Sequence, residues 1–146
     1  MNTRIPSALF LLFILSALAN SLLAQNPDSW EDRQTRQQPP DIVLKAIGLE
    51  KGMVVGEIGA GRGRYSVILA GKVGEQGHIY ANDINKEDLE YLEFRTERDG
   101  IKNLSIILGE ELDPLLPENK LDMLFIVNSY HHFSQPVTLL KNAYPA

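Results

Sequence analysis

Cysteine is absent from the chain. Disulfides and cysteine-based zinc or redox sites are therefore excluded. Nothing in the sequence can mispair in an oxidising compartment. Positive charge is also in short supply. Fourteen Lys and Arg stand against 19 Asp and Glu, a net charge of −5. A nucleic-acid surface needs clustered Lys and Arg, so no nucleic-acid partner is expected. There is no internal repeat, no low-complexity segment, and no apolar run of the about 20 residues that a comfortable membrane span requires. What remains fits one domain at most: 146 residues, 44% of them hydrophobic, enough for a core and too many for a disordered chain.

The first residues form a separate segment. "MNTRIPS" carries Arg4 and no acid, "ALFLLFILSALA" is a short apolar core, and "NSLLAQ" follows with small residues. This is the layout of a secretory signal peptide. It predicts an exported protein, periplasmic or secreted, with cleavage after Ala24 or at the alternative "ALA" of residues 17–19. Without a cysteine after the apolar run there is no lipoprotein anchor. The membrane enters only if the signal stays uncleaved. The organisation is then a signal peptide over residues 1–24, a polar lead-in arm without periodicity over 25–38, and a folded portion over 39–146.

Within that portion, strands and helices alternate. "PPDIVLKAIGLEKG" predicts a short helix, with Pro40 in its first turn and Gly48 at its cap. "MVVGEI", "GHIYAND", "NLSIILG" and "LDMLFIVN" are the strand candidates. The last is almost continuously apolar, as a strand buried on both faces is. "RYSVILAGKVG" predicts a helix with Val67, Ile68 and Leu69 inward. "NKEDLEYLEFRTERDG" is the clearest helix: Asn85 caps it, Asp88 holds the capping-box position, and Gly100 stops it. "SQPVTLLKNAY" begins another at Pro136. Alternation of this kind implies right-handed crossovers and a parallel α/β sheet.

The first strand runs into "EIGAGRGR", where Glu57 is followed by Gly59, Gly61 and Gly63 at intervals of two. A strand ending in a glycine turn before a helix forms a ligand site, because ligands of open α/β sheets lie beyond the carboxyl ends of the strands. A dinucleotide loop has G-x-G-x-x-G spacing. Here the third residue after Gly61 is Arg64, and Glu57 is ill-placed to approach a pyrophosphate. An acid there suits a cofactor with a cationic amino acid end.

Residues 54–70, "VVGEIGAGRGRYSVILA", resemble motif I of the class I S-adenosylmethionine-dependent methyltransferases. "GHIYANDIN" is similar to their second strand, "NLSIILGEELDPLLP" to their third with its loop, and "LDMLFIVNSYHHF" to their fourth. The resemblance covers the chain from about Pro39 onward and implies S-adenosylmethionine as cofactor. It implies that Glu57, Gly59, Ala60, Gly61 and Gly63 form the cofactor loop, with Gly63 serving helix–strand packing. Asp83 would hold the ribose hydroxyls, since a carboxylate accepts two hydrogen bonds. Ile84 would sit beside the adenine. Glu110 would lie near the adenine amino group, with Glu111 and Asp113 as competitors. Asn128 would lie towards the methionine end, and Asp122 would start the fourth strand.

The implied fold is an α/β, Rossmann-like three-layer αβα sandwich on a parallel sheet, lacking strands 5–7 of the full methyltransferase fold. The fourth strand is then an apolar edge. The implied activity is methyl transfer to an unidentified acceptor, a small molecule or a protein. Aligning acceptor and sulfonium carries much of such a rate, so no catalytic motif is required. The catalytic candidates are Tyr130, His131 and His132; a histidine there suits a general base, and "HHF" equally suits packing of the strand end. No carboxylate stands at metal-ligand spacing from the histidines, and no metal is expected. The alternative is an exported, non-catalytic binding module that keeps the fold.

Overall fold

A computed structural model describes residues 27–146. The signal peptide expected over residues 1–24 lies outside the described residues. Two compact units divide the chain at Pro39/Pro40. In the first, the polar lead-in arm holds a helix, α1, Pro27–Gln37. It has no apolar stripe to betray it. It rests on local preference: a proline at its first position, straight-chain Glu, Gln and Arg through its body, and Arg36 in the last turn facing the negative end of the helix dipole.

The second unit runs α2 (Pro40–Ala46), β1 (Val54–Ile58), α3 (Arg64–Val73), β2 (His78–Asp83), α4 (Lys86–Asp99), β3 (Leu104–Leu108), β4 (Met123–Phe125), a 3-10 turn (Tyr130–His132) and α5 (Pro136–Ala143). All strand pairings are parallel, in the order β3-β2-β1-β4. Helices cover both faces, as the αβα reading requires. On one face, Leu44 of α2 and Tyr65, Leu69, Ala70 and Val73 of α3 close over Val55, Ile79 and Phe125. Beside them, Leu89 and Leu92 of α4 pack on Ala81 with Ala60. On the other face, Leu139 and Ala143 of α5 bury Ile58.

Three local expectations change. The buried stripe of α3 is Arg64, Tyr65, Ser66, Leu69, Ala70 and Val73, while Val67 and Ile68 are half-buried. The stripe was hidden because it includes two polar residues, Arg64 and Ser66, of which Ser66 meets Glu57 on β1. Tyr65 is a core residue, edge-on to Phe125 at 5.2 Å. Strand β4 is only three residues long. Asp122 pins its start, donating from N to Val54 O and accepting Val54 N on Oδ2, each at 2.8 Å. Past Phe125 the strand pairing stops, and Asn128 turns the chain into the left-handed region at φ 54°. Strand β4 is an edge of the described sheet, and it is not buried on both faces, since Leu124 is 37% exposed.

The cap of α4 matches its sequence. Asn85 Oδ1 accepts Asp88 N at 3.1 Å. The reciprocal arm of the capping box comes from elsewhere: Asp83 Oδ1 accepts Asn85 N at 2.9 Å, and the Asp88 carboxylate pairs with Arg62 at 2.9 Å. Asn85→Ala should cost about 1 kcal/mol and lower the melting temperature by about 4 °C, as followed by circular dichroism. A melting curve superimposable on that of the parent would show that Asp83 alone suffices as a cap.

Candidate functional site

The carboxyl ends of β1 and β2 are stitched together by backbone. Gly59 N and Ala60 N both donate to Asn82 O at 2.9 Å, and Gly63 N closes the turn onto Ala60 O at 2.9 Å. All three loop glycines have positive φ, at 80°, 53° and 78° for Gly59, Gly61 and Gly63. Two of them also answer to space. A Cβ on Gly59 would strike Ser129, whose hydroxyl donates to Ile58 O at 3.0 Å. A Cβ on Gly63 would strike Leu92 of α4, so this glycine serves helix–helix packing rather than the expected helix–strand packing. Gly61 differs: a Cβ there would meet nothing within 4 Å. No packing demand explains its small size.

Asp83 faces that loop. Its Oδ2 accepts Gly61 N at 2.7 Å, and its Oδ1 accepts Asn85 N. Each carboxylate oxygen keeps a further lone pair, so two adjacent hydroxyls can still be accepted. Next to it Ile84 is 61% exposed, an apolar surface beside the carboxylate. Gly109 N donates to Asp83 O at 3.0 Å, bringing the loop after β3 to the same end of the sheet. There Glu110 is exposed. Its competitor Asp113 is engaged structurally: its backbone exchanges bonds with that of Glu110, and its Oδ1 accepts Leu115 N at 2.9 Å.

Glu57 is the sole carboxylate in the buried interior among the described residues, at 2% exposure. Ser66 Oγ donates to its Oε2 at 2.6 Å. Burial pushes the carboxyl up from 4.5 to about 7, against the Ser66 hydrogen bond and the Arg64 charge, while Asp83 adds to the rise. Of the two loop arginines, Arg62 is exposed and salt-bridged to Asp88, whereas Arg64 is buried with its guanidinium 4.3 Å from the Tyr65 ring centroid.

Beyond β4, Asn128 is exposed. Tyr130, His131 and His132 are exposed too, and the two imidazole rings lie 3.9 Å apart. Packing at this strand end falls to Phe133, which joins the Ile58 and Leu139 cluster. The structure thus brings the glycine loop, Asp83 and Ile84 to one end of the sheet, with Glu57 beneath them.

Sequence reasoning missed Ser66, buried Arg64 and above all Asn82. Asn82 Nδ2 donates to Pro114 O at 2.8 Å and Ile107 O at 3.3 Å, holding the loop after β3 while its own carbonyl holds the glycine turn. The available signal was a carboxamide near the end of an otherwise apolar strand.

Comparison with known proteins adds independent findings. A family model described as a methyltransferase domain matches residues 49–145. The chain is 29% identical over 127 residues to a protein-L-isoaspartate O-methyltransferase of Thermotoga maritima, covering 84% of this chain and 40% of that protein. It is 25% identical over 101 residues to a demethylmenaquinone methyltransferase of a Geobacillus species, covering 69% and 43%. Among solved structures, a SAM dependent methyltransferase from Aquifex aeolicus is similar with a TM-score of 0.70 at 34% identity, covering 73% of this chain and 57% of that one. The chain spans about two fifths of the length of these curated relatives.

Proposed function

The chain belongs to the methyltransferase domain family, and from that premise we propose that it works as an S-adenosylmethionine-dependent methyltransferase, binding the cofactor at the carboxyl ends of β1 and β2. One observation carries this reading. Asp83 Oδ2 holds Gly61 N at 2.7 Å, and the side of Gly61 where a Cβ would stand is open. The Asp83 contact therefore fixes the loop with its Gly61 backbone open to approach, beside a carboxylate suited to a vicinal diol.

Each chain residue has a role in the proposal. Asp83 receives the ribose hydroxyls, Ile84 lies against the adenine, and Glu110 stands towards the adenine edge. Gly59, Ala60 and Gly61 let the backbone approach the cofactor. Glu57 places negative charge beneath the amino acid end, and Asn128 lies towards it. The cofactor when bound supplies an activated methyl group on a positive sulfur. The chain orients that group, and tight positioning converts a bimolecular encounter into an effectively unimolecular one. Tyr130, His131 and His132, past the end of β4, are the candidates for receiving a proton from the acceptor. Relatives named for L-isoaspartate in protein and for demethylmenaquinone differ in acceptor, so the acceptor of this chain is left as a small molecule or a protein. Export belongs to the proposal on the strength of residues 1–24 alone.

Calorimetry on the full chain should give S-adenosylmethionine binding with a Kd on the order of micromolar, about −8 kcal/mol. Label from methyl-labelled cofactor should then reach an acceptor in a panel that includes isoaspartyl peptides and demethylated quinones. No heat across the accessible concentration range would overturn the cofactor assignment.

A further inference from the structure

The buried Glu57–Ser66 pair has a place that the binding scheme alone does not require. Glu57 lies on β1 two residues before Gly59, with Ala81 of β2 and Phe125 of β4 opposite it in register. Its side chain meets Ser66, which is 0% exposed in the first turn of α3. The element that carries the carboxylate therefore runs straight into the loop, and the element that holds it runs straight out of the same loop.

Few charges act on it. Arg64 on α3 favours its ionised form and Asp83 at the end of β2 opposes it. Its neighbour on β4 is Phe125, α2 contributes apolar Leu44 on this face, and α5 packs on the opposite face. Desolvation is the largest influence, and it favours the neutral form of the free protein. A cation brought onto the loop shifts that balance the other way. By linkage, the same cation must bind more tightly when the carboxylate is already charged.

We propose that Glu57 and Ser66 form a proton-operated latch under the glycine loop. Ionised Glu57 draws the cationic amino acid end of the cofactor onto the loop, and protonated Glu57 lets it go. Ser66 is the positioning residue that keeps the carboxylate oriented and favours its charged form. This rests on the S-adenosylmethionine reading above. Binding below neutrality then expels a proton from Glu57 to solvent, and no other bond changes.

The test is calorimetry on the full chain between about pH 5.5 and about pH 8, in buffers of different ionisation enthalpy, so that released protons are counted. Three ligands are compared: S-adenosylmethionine, S-adenosylhomocysteine, and 5′-methylthioadenosine, which lacks the amino acid end. For the first two, affinity should rise about tenfold across the range, with proton release on its acidic side. For methylthioadenosine it should stay flat. Ser66→Ala should move the midpoint to higher pH, and Glu57→Gln should bind weakly without proton release. The wild-type proton count stands even if a variant fails to fold. A second cofactor-induced signal, loss of the infrared carbonyl band of a protonated carboxyl in the wild type, checks it independently. Tight, pH-independent binding would overturn the latch and leave the cofactor assignment intact. Proton release that persists in Glu57→Gln would do the same, assigning the proton to a histidine. No binding of any ligand at any pH would overturn both.

Discussion

Asp83→Ala should weaken S-adenosylmethionine binding by about a hundredfold or more. A hydrogen bond to a charged acceptor contributes about 1.5–3 kcal/mol, and the proposed ribose contact makes two, while each factor of ten in affinity corresponds to about 1.4 kcal/mol. The same carboxylate also holds Gly61 N and Asn85 N. Its removal therefore loosens the loop and the start of α4, which adds to the loss of affinity. The two contributions separate through ligands and stability. Cofactor analogues lacking the 2′- or 3′-hydroxyl should bind the parent protein about tenfold more weakly and the variant with no further loss, because the partner is already gone. The melting temperature of the variant reports the loop and cap contacts alone. Asp83→Asn keeps the shape without the charge and should fall between, about tenfold weaker than the parent. An Asp83→Ala protein that binds within threefold of the parent would remove Asp83 from the ribose role.

Much of the fold was legible because its elements carry their own instructions. The helix Lys86–Asp99 is bracketed by Asn85 and Gly100, and both do what those residue types do at helix ends. The parallel sheet could be read because strands that alternate with helices are joined by crossovers. The helix Pro27–Gln37 was not legible, since sequence patterning detects an apolar face and this segment shows none. The inward side of Arg64–Val73 was misread for the opposite reason. Arg64 and Ser66 look like surface residues, and their burial makes sense only once Glu57 is known to lie beneath them. Likewise "YHHF" was read as following the fourth strand directly, but pairing stops at Phe125, and which of its residues packs depends on the turn that follows β4. The site divides the same way. Gly59 and Gly61 stand out by their spacing and Asp83 by the resemblance of its strand, whereas the role of Asn82 depends on a loop 32 residues further on. Long-range partners of polar groups are invisible to local pattern.

Glu57→Gln should make the protein more stable at alkaline pH while impairing the site. The carboxyl of Glu57 is raised from 4.5 to about 7 by burial. Below about pH 4.5 both the folded and the unfolded protein hold the proton, and the residue has no effect on the balance. As pH rises from there, the unfolded chain ionises first, so stability falls. Above about pH 7 the folded protein must carry the buried charge, and the full penalty is present. Raising a carboxyl by this much corresponds to roughly 3 kcal/mol. Glutamine has nearly the same shape, accepts the Ser66 hydroxyl through its amide oxygen and never ionises. The difference in unfolding free energy between variant and parent should therefore be close to zero near pH 4.5 and rise to roughly 2–3 kcal/mol in favour of the variant by pH 8. Urea unfolding followed by circular dichroism at several pH values gives this difference directly. Titrating groups that do not interact with Glu57 contribute equally to both proteins and cancel, leaving Glu57 with its neighbours Arg64 and Asp83. A difference that does not vary with pH, or a variant less stable than its parent at pH 8, would show that Glu57 is not held against its own charge. A stabilised variant that binds the cofactor poorly has a plain physical meaning: the fold tolerates a buried carboxylate at this position because the ligand needs its charge.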